Sequence, residues 1–107
     1  MKKLLISVSL LAFALALALP NRSYAEGGAD LFKAKCAMCH GADGSGNTAM
    51  GKKFGIKDLG SADVQKESDA DMAQIISKGK DKMPAYEGKL TKDQINDLVK
   101  YIRTLKK

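Results

Sequence analysis

The sequence predicts a small all-α domain, and three observations carry that prediction. Two stretches in the C-terminal half repeat apolar residues at steps of three and four behind helix-capping signals. No segment alternates apolar and polar residues for long enough to argue a strand. No internal repeat divides the chain into stacked units.

The first residues read as a secretory signal. Lys2 and Lys3 precede an apolar run over 4–19, and Ser23-Tyr24-Ala25 forms a small-x-small cleavage site before Glu26. The 16-residue run is short of the roughly 20 that a spanning helix needs, so no stable membrane insertion is expected after processing. An uncleaved anchor is the alternative, and no Cys stands at the cleavage point to carry lipid. The expected organisation is therefore a signal peptide over 1–25 and one domain over 26–107, exported to the periplasm.

Removing the leader takes three of the 18 basic residues and none of the 12 acids, so the net charge falls from +6 to +3. The whole-chain pI of about 9.4 is thus inflated by the leader. With no basic stripe interleaved with aromatics, nucleic acid is not an expected partner. The leader also holds 17 of the 48 hydrophobic residues. What remains is a thin core for a chain this short, which needs a staple or a bound apolar group to close over.

Within the domain, good helix formers over 28–36 place Leu31 and Phe32 on one face with Cys36, predicting a first helix. Six glycines make 41–60 loop-like, with Phe54, Ile56 and Leu59 as its apolar anchors. Gly46 to Lys52 resembles the start of a phosphate-binding loop, but position 53 is Lys and no strand precedes it, which argues against a nucleotide site. A short helical piece is expected over 62–66. Ser68 caps a helix running through Lys78, with Asp69 and Asp71 in its first turn and Gly79 past its end. Met72, Ile75 and Ile76 form its apolar stripe. Thr91 and Gln94 form a capping box that opens the last helix, and Ile95, Leu98, Val99, Ile102 and Leu105 follow on one face.

The chemistry-bearing stretch is Cys36-Ala37-Met38-Cys39-His40. C-x-x-C-H is the attachment signature of a c-type haem. On a helical turn all three side chains leave roughly one face, so two thiols can add across the two vinyl groups while the imidazole is held under the iron. A short disulfide, a thioredoxin-type dithiol and a zinc site are the competing readings. The dithiol lacks a βαβ context, and zinc lacks a fourth ligand because His40 is the single His.

A second axial ligand is expected from Lys80-Asp81-Lys82-Met83-Pro84. Pro84 biases Met83 away from the helical region, so Met83 stands on an extended strap that can present its thioether to the open haem face. Met38 lies in the attachment spacer, Met72 fits a helix stripe, and Met50 in the glycine-rich loop is the rival.

With these motifs in place, residues 26–107 resemble the small class I cytochromes c, and Met83-Pro84-Ala85-Tyr86 is similar to the corresponding stretch of the c-six and related bacterial carriers. The resemblance implies the small cytochrome c fold, three to five helices wrapped around one covalently attached haem. It also implies that Gly28 and Phe32 of the first helix pack against Tyr101 of the last. Many relatives carry a Pro in the loop after the haem motif, near the carbonyl that accepts the His ring N–H. Here Pro84 is the only Pro after the leader, so a backbone carbonyl within 47–52 is expected to orient His40 instead.

His40 and Met83 together leave no vacant position on the iron. The expected function is a soluble electron carrier that shuttles single electrons between membrane or periplasmic redox partners, and not an enzyme. A thioether ligand and an apolar pocket both favour ferrous iron and so raise the reduction potential. Lys35, Lys52, Lys53, Lys78, Lys80 and Lys82 lie near the attachment loop or the Met strap, where they would steer a partner with an acidic docking patch. The carrier is expected to be a monomer, although separable haem and Met segments also allow a domain-swapped dimer. The alternatives are a haem-based sensor or small peroxidase, which requires that Met83 is not a stable ligand, and a subunit or tethered domain of a larger oxidoreductase.

Overall fold

The computed structural model describes residues 24–107; the leader expected over 1–25 lies almost wholly outside them. The described residues hold six helical segments and no strand. They are α1 (Tyr24–Lys35), α2 (Ala37–His40), α3 (Ala49–Phe54), α4 (Ala62–Gln65), α5 (Asp69–Lys78) and α6 (Lys92–Thr104). None is long and apolar enough to cross a membrane.

The capping chemistry operates as the residue types dictate. The Thr91 hydroxyl accepts from the Gln94 N–H at 3.1 Å, and the Gln94 side chain accepts from the Thr91 N–H at 2.8 Å. Ser68 accepts from the Asp71 N–H and Ser61 from the Val64 N–H, which starts α5 and α4. One helix escaped the sequence reading. Residues 41–60 are not loop throughout, because Thr48 accepts from the Gly51 N–H at 2.8 Å and opens α3. The glycines that argued for loop instead close its turns, Gly55 ending α3 in the left-handed region at φ 63°.

The core is the crossing of α1 with α6, covered by α5. Phe32 and Leu98 are each 1% exposed, and Ile95, Val99 and Ile102 of α6 meet Met72 and Ile76 of α5 around them. Each such side chain contributes about 1.5–3 kcal/mol on burial. Gly28 makes the close approach possible: a Cβ there would collide with the Asp97 carbonyl oxygen and lie 3.1 Å from the Tyr101 Cβ. The Phe32 and Tyr101 rings pack 5.2 Å apart at 48°, as the family resemblance implies.

Arg103 joins the lower wall to this frame. Its guanidinium donates to the Gln65 carbonyl at 2.6 Å, the Glu67 carbonyl at 2.5 Å and Asp69 Oδ1 at 2.8 Å. Gln65 in turn donates to the carbonyls of Leu59 and Ile102, at 2.8 and 3.0 Å. The planar fork thus gathers residues 59–69 against α6.

Candidate haem site

Two adjoining cavities open between these elements. The smaller, about 130 Å³, is lined mainly by apolar side chains of α1, α5 and α6 with Leu59 and Val64. The larger, about 320 Å³, lies between the attachment segment, residues 54–57 and the strap 80–86. Cys36, His40, Ile75 and Met83 line both, so these four stand where the two spaces meet. Cys39 lines the larger cavity.

Local structure explains each placement. Cys36 follows the last residue of α1, and its carbonyl accepts from the N–H groups of Cys39 at 3.3 Å and His40 at 3.0 Å, which winds the motif into the single turn α2. Met83 is brought in by a tight turn in which Lys80 and Met83 exchange backbone hydrogen bonds at 3.1 and 2.9 Å. That turn needs φ 77° at Gly79 and φ 52° at Asp81. Pro84 and Ala85 are exposed, whereas Met83 and Tyr86 are half-buried against the core.

The other methionines are placed differently. Met38 is 81% exposed, and Met50 is exposed on α3 and lines neither cavity. Met72 is a buried core residue that also lines the smaller cavity. Phe54 and Ile56 line the larger cavity and Leu59 the smaller.

His40 Nδ1 is buried and has no hydrogen-bond partner among the described residues, which corrects the expectation that a carbonyl of 47–52 orients the ring. That loop is spent on the backbone of the motif. The Gly46 N–H donates to the His40 carbonyl at 2.6 Å, and the Thr48 hydroxyl donates to the Cys39 carbonyl at 2.7 Å. Burial pulls the His40 imidazole below its ordinary value, so it is neutral and free to act as a ligand. The Phe32 ring stands 6.2 Å from the imidazole centroid.

Burial, followed by the neighbouring Cys39, pushes the Cys36 thiol up to about 11. A redox dithiol needs the opposite shift, a stabilised thiolate. No disulfide joins Cys36 and Cys39. Among the described residues no group of three or more His, Cys, Asp or Glu is placed to hold a metal ion. Two thiols, a neutral imidazole with an orphaned buried nitrogen, a thioether and apolar walls form a donor set that fits a covalently attached haem.

Lys35, Lys57, Lys80 and Lys82 line the larger cavity. Lys57 was not anticipated, because its proximity to the strap exists only in the folded chain. Of the other expected lysines, Lys78 pairs with Glu87 at 2.5 Å, Lys53 lies over the Phe54 ring, and Lys52 is exposed on α3.

Comparison with known proteins agrees with this geometry. Residues 24–102 match the family described as cytochrome C oxidase, cbb3-type, subunit III. Cytochrome c6 of Thermosynechococcus vestitus is 37% identical over 105 residues, covering 95% of this chain and 91% of the relative. Cytochrome c6 of Porphyra purpurea is 35% identical over 77 residues, covering 72% and 67%. The solved structure of the KustC0563 c-type cytochrome superposes with a TM-score of 0.70 at 33% identity, covering 75% of this chain and 98% of that one. An all-α frame built on the α1–α6 crossing and a C-x-x-C-H turn facing an apolar cavity, together with relatives matched over most of their length, place the chain among the small class I c-type cytochromes, electron-transfer proteins whose haem is bound covalently.

Proposed function

We propose that residues 26–107 form a monohaem carrier domain, released from a signal peptide over 1–25 in the periplasm, in which His40 and Met83 would hold the haem iron. Cys36 and Cys39 hold the haem through two thioethers, each formed by adding S–H across a vinyl double bond. The observation that carries this reading is the shared lining of the two cavities: His40 and Met83 come from opposite ends of the chain's site and face the same space as Cys36.

When bound, the haem supplies an iron that cycles between ferrous and ferric states. His40 and Met83 would hold the iron, and the apolar walls would exclude water and limit rearrangement between the two states. The apolar wall of Phe32, Val64, Leu98 and Ile102 opposes extra positive charge and so favours the reduced form. Lys35, Lys57, Lys80 and Lys82 line the larger cavity and are exposed. They suit a redox partner with an acidic patch, met by a monomer in a short-lived, salt-sensitive contact.

The test is the absorption spectrum of the exported protein, oxidised and reduced, with and without carbon monoxide, beside Met83→Ala. The parent is expected to give low-spin bands, a far-red sulfur-to-iron band when oxidised, and no response to carbon monoxide. Met83→Ala is expected to lose the far-red band and bind carbon monoxide at once. A parent that is high-spin or binds carbon monoxide promptly overturns the carrier and leaves a sensor or small peroxidase. Acid extraction checks the attachment: haem stays with the parent chain and is lost from the double variant Cys36→Ala, Cys39→Ala.

A further inference from the structure

The strap 80–86 turns only two side chains inward. Lys80, Asp81, Lys82, Pro84 and Ala85 are exposed, whereas Met83 and Tyr86 pack against the core. The backbone of Tyr86 is fully engaged nearby. Its N–H donates to the Ile76 carbonyl at 3.0 Å, and its carbonyl accepts from Lys89 and Leu90 at 3.0 and 2.9 Å. These bonds fasten the end of the strap to α5 and to the turn before α6.

The Tyr86 hydroxyl does something else. It donates to the carbonyl of Lys35 at 3.0 Å, across 51 residues of sequence. Lys35 is the last residue of α1 and the neighbour of Cys36, and its carbonyl belongs to the set a helix leaves without an intrahelical partner. Among the described residues this is the only hydrogen bond that joins the strap to the attachment segment. Lys35, Cys36, Met83 and Tyr86 all line the larger cavity, so the bond ties together two segments of its lining.

We infer that the Tyr86 hydroxyl is a latch between the strap and the haem-attachment turn, and that it governs how firmly the Met83 thioether is held at its position. Tyr86 is thus a positioning residue that acts through Met83, and the inference rests on Met83 being the ligand. The turn before Met83 is bonded only to itself, Lys80 with Met83. Without the latch the strap keeps its packing and the backbone bonds of Tyr86, but no hydrogen bond to the attachment segment among the described residues.

Tyr86→Phe removes the oxygen and keeps the ring, and the measurement is the rate at which the oxidised, haem-loaded protein takes up imidazole in place of its sixth ligand. Tyr86→Phe is expected to raise that rate about tenfold, the factor one net hydrogen bond is worth. The far-red band and helical circular dichroism are expected to persist in the unliganded protein. Amide exchange at Met83 is expected to speed up by a similar factor, while amides within α6 stay at the parent rate.

Val99→Ala serves as control, since Val99 is buried but lines neither cavity. It is expected to lower stability while keeping the parent imidazole rate. The latch is overturned if Tyr86→Phe matches the parent, or if Val99→Ala raises the rate as much. Met83→Ala separates the two readings. If it opens the iron while Tyr86→Phe does nothing, the ligation stands and the latch falls; if it leaves the imidazole rate unchanged, the ligation and the latch fall together.

Discussion

At Gly28 the lack of a side chain lets two helices touch. A Cβ would overlap the Asp97 carbonyl oxygen, which belongs to the α6 backbone and cannot turn away as a side chain would. Gly28→Ala is therefore expected to cost about 2 kcal/mol, read as a lower denaturation midpoint of the haem-loaded protein. Substitution at Gly55, where an added Cβ would stand in open space, meets only its backbone conformation. His40 makes a different point at this scale. Its place in a C-x-x-C-H motif is plain in the sequence, but the fate of its second nitrogen depends on which donors and acceptors the 41–60 loop has left over. Gly46 and Thr48 bring donors to the motif's backbone, and the buried Nδ1 goes without.

Among the elements, α6 contributes most to the core, and its start is defined by one box. The Thr91 and Gln94 bonds satisfy two N-terminal donors that the helix itself cannot. Thr91→Ala is expected to destabilise the domain by about 1 kcal/mol without changing the haem spectrum, since neither residue lines a cavity; thermal unfolding and the absorption bands check the two halves. The amphipathic stripes of α5 and α6 and the Ser68 and Thr91 caps that start them were legible because helix periodicity and capping are short-range properties. α3 was not, because six residues with two lysines and a glycine carry too little pattern; Thr48 ahead of it was the available signal. The Arg103–Gln65 cluster was also invisible, since it joins residues 38 apart.

For the whole molecule the question is which face meets a partner. Net charge says little, as residues 1–25 carry half of the +6. Placement says more: four lysines frame the larger cavity, with Asp81 as the one acid in its lining. Replacing Lys80 and Lys82 by Glu is expected to slow electron exchange with an acidic redox partner roughly tenfold at low ionic strength. The difference is expected to shrink as salt rises, which stopped-flow mixing across a salt series checks.

The sequence by itself determined the cofactor chemistry, the helical class and the two caps that start the major helices. Thioether attachment and helix capping both need particular residue types at fixed short spacings, and short spacings are visible along a chain. It also singled out Met83, through the proline that follows it. Tertiary structure decided what those pieces face: that Cys36, His40 and Met83 share one space, that Lys57 joins the lining of the larger cavity, that no carbonyl of the described residues reaches His40 Nδ1, and that the Tyr86 hydroxyl lands on Lys35. Each of these is a contact between residues far apart in sequence. Such contacts depend on how α1 and α6 cross and where the connecting loops then fall, which no local pattern encodes.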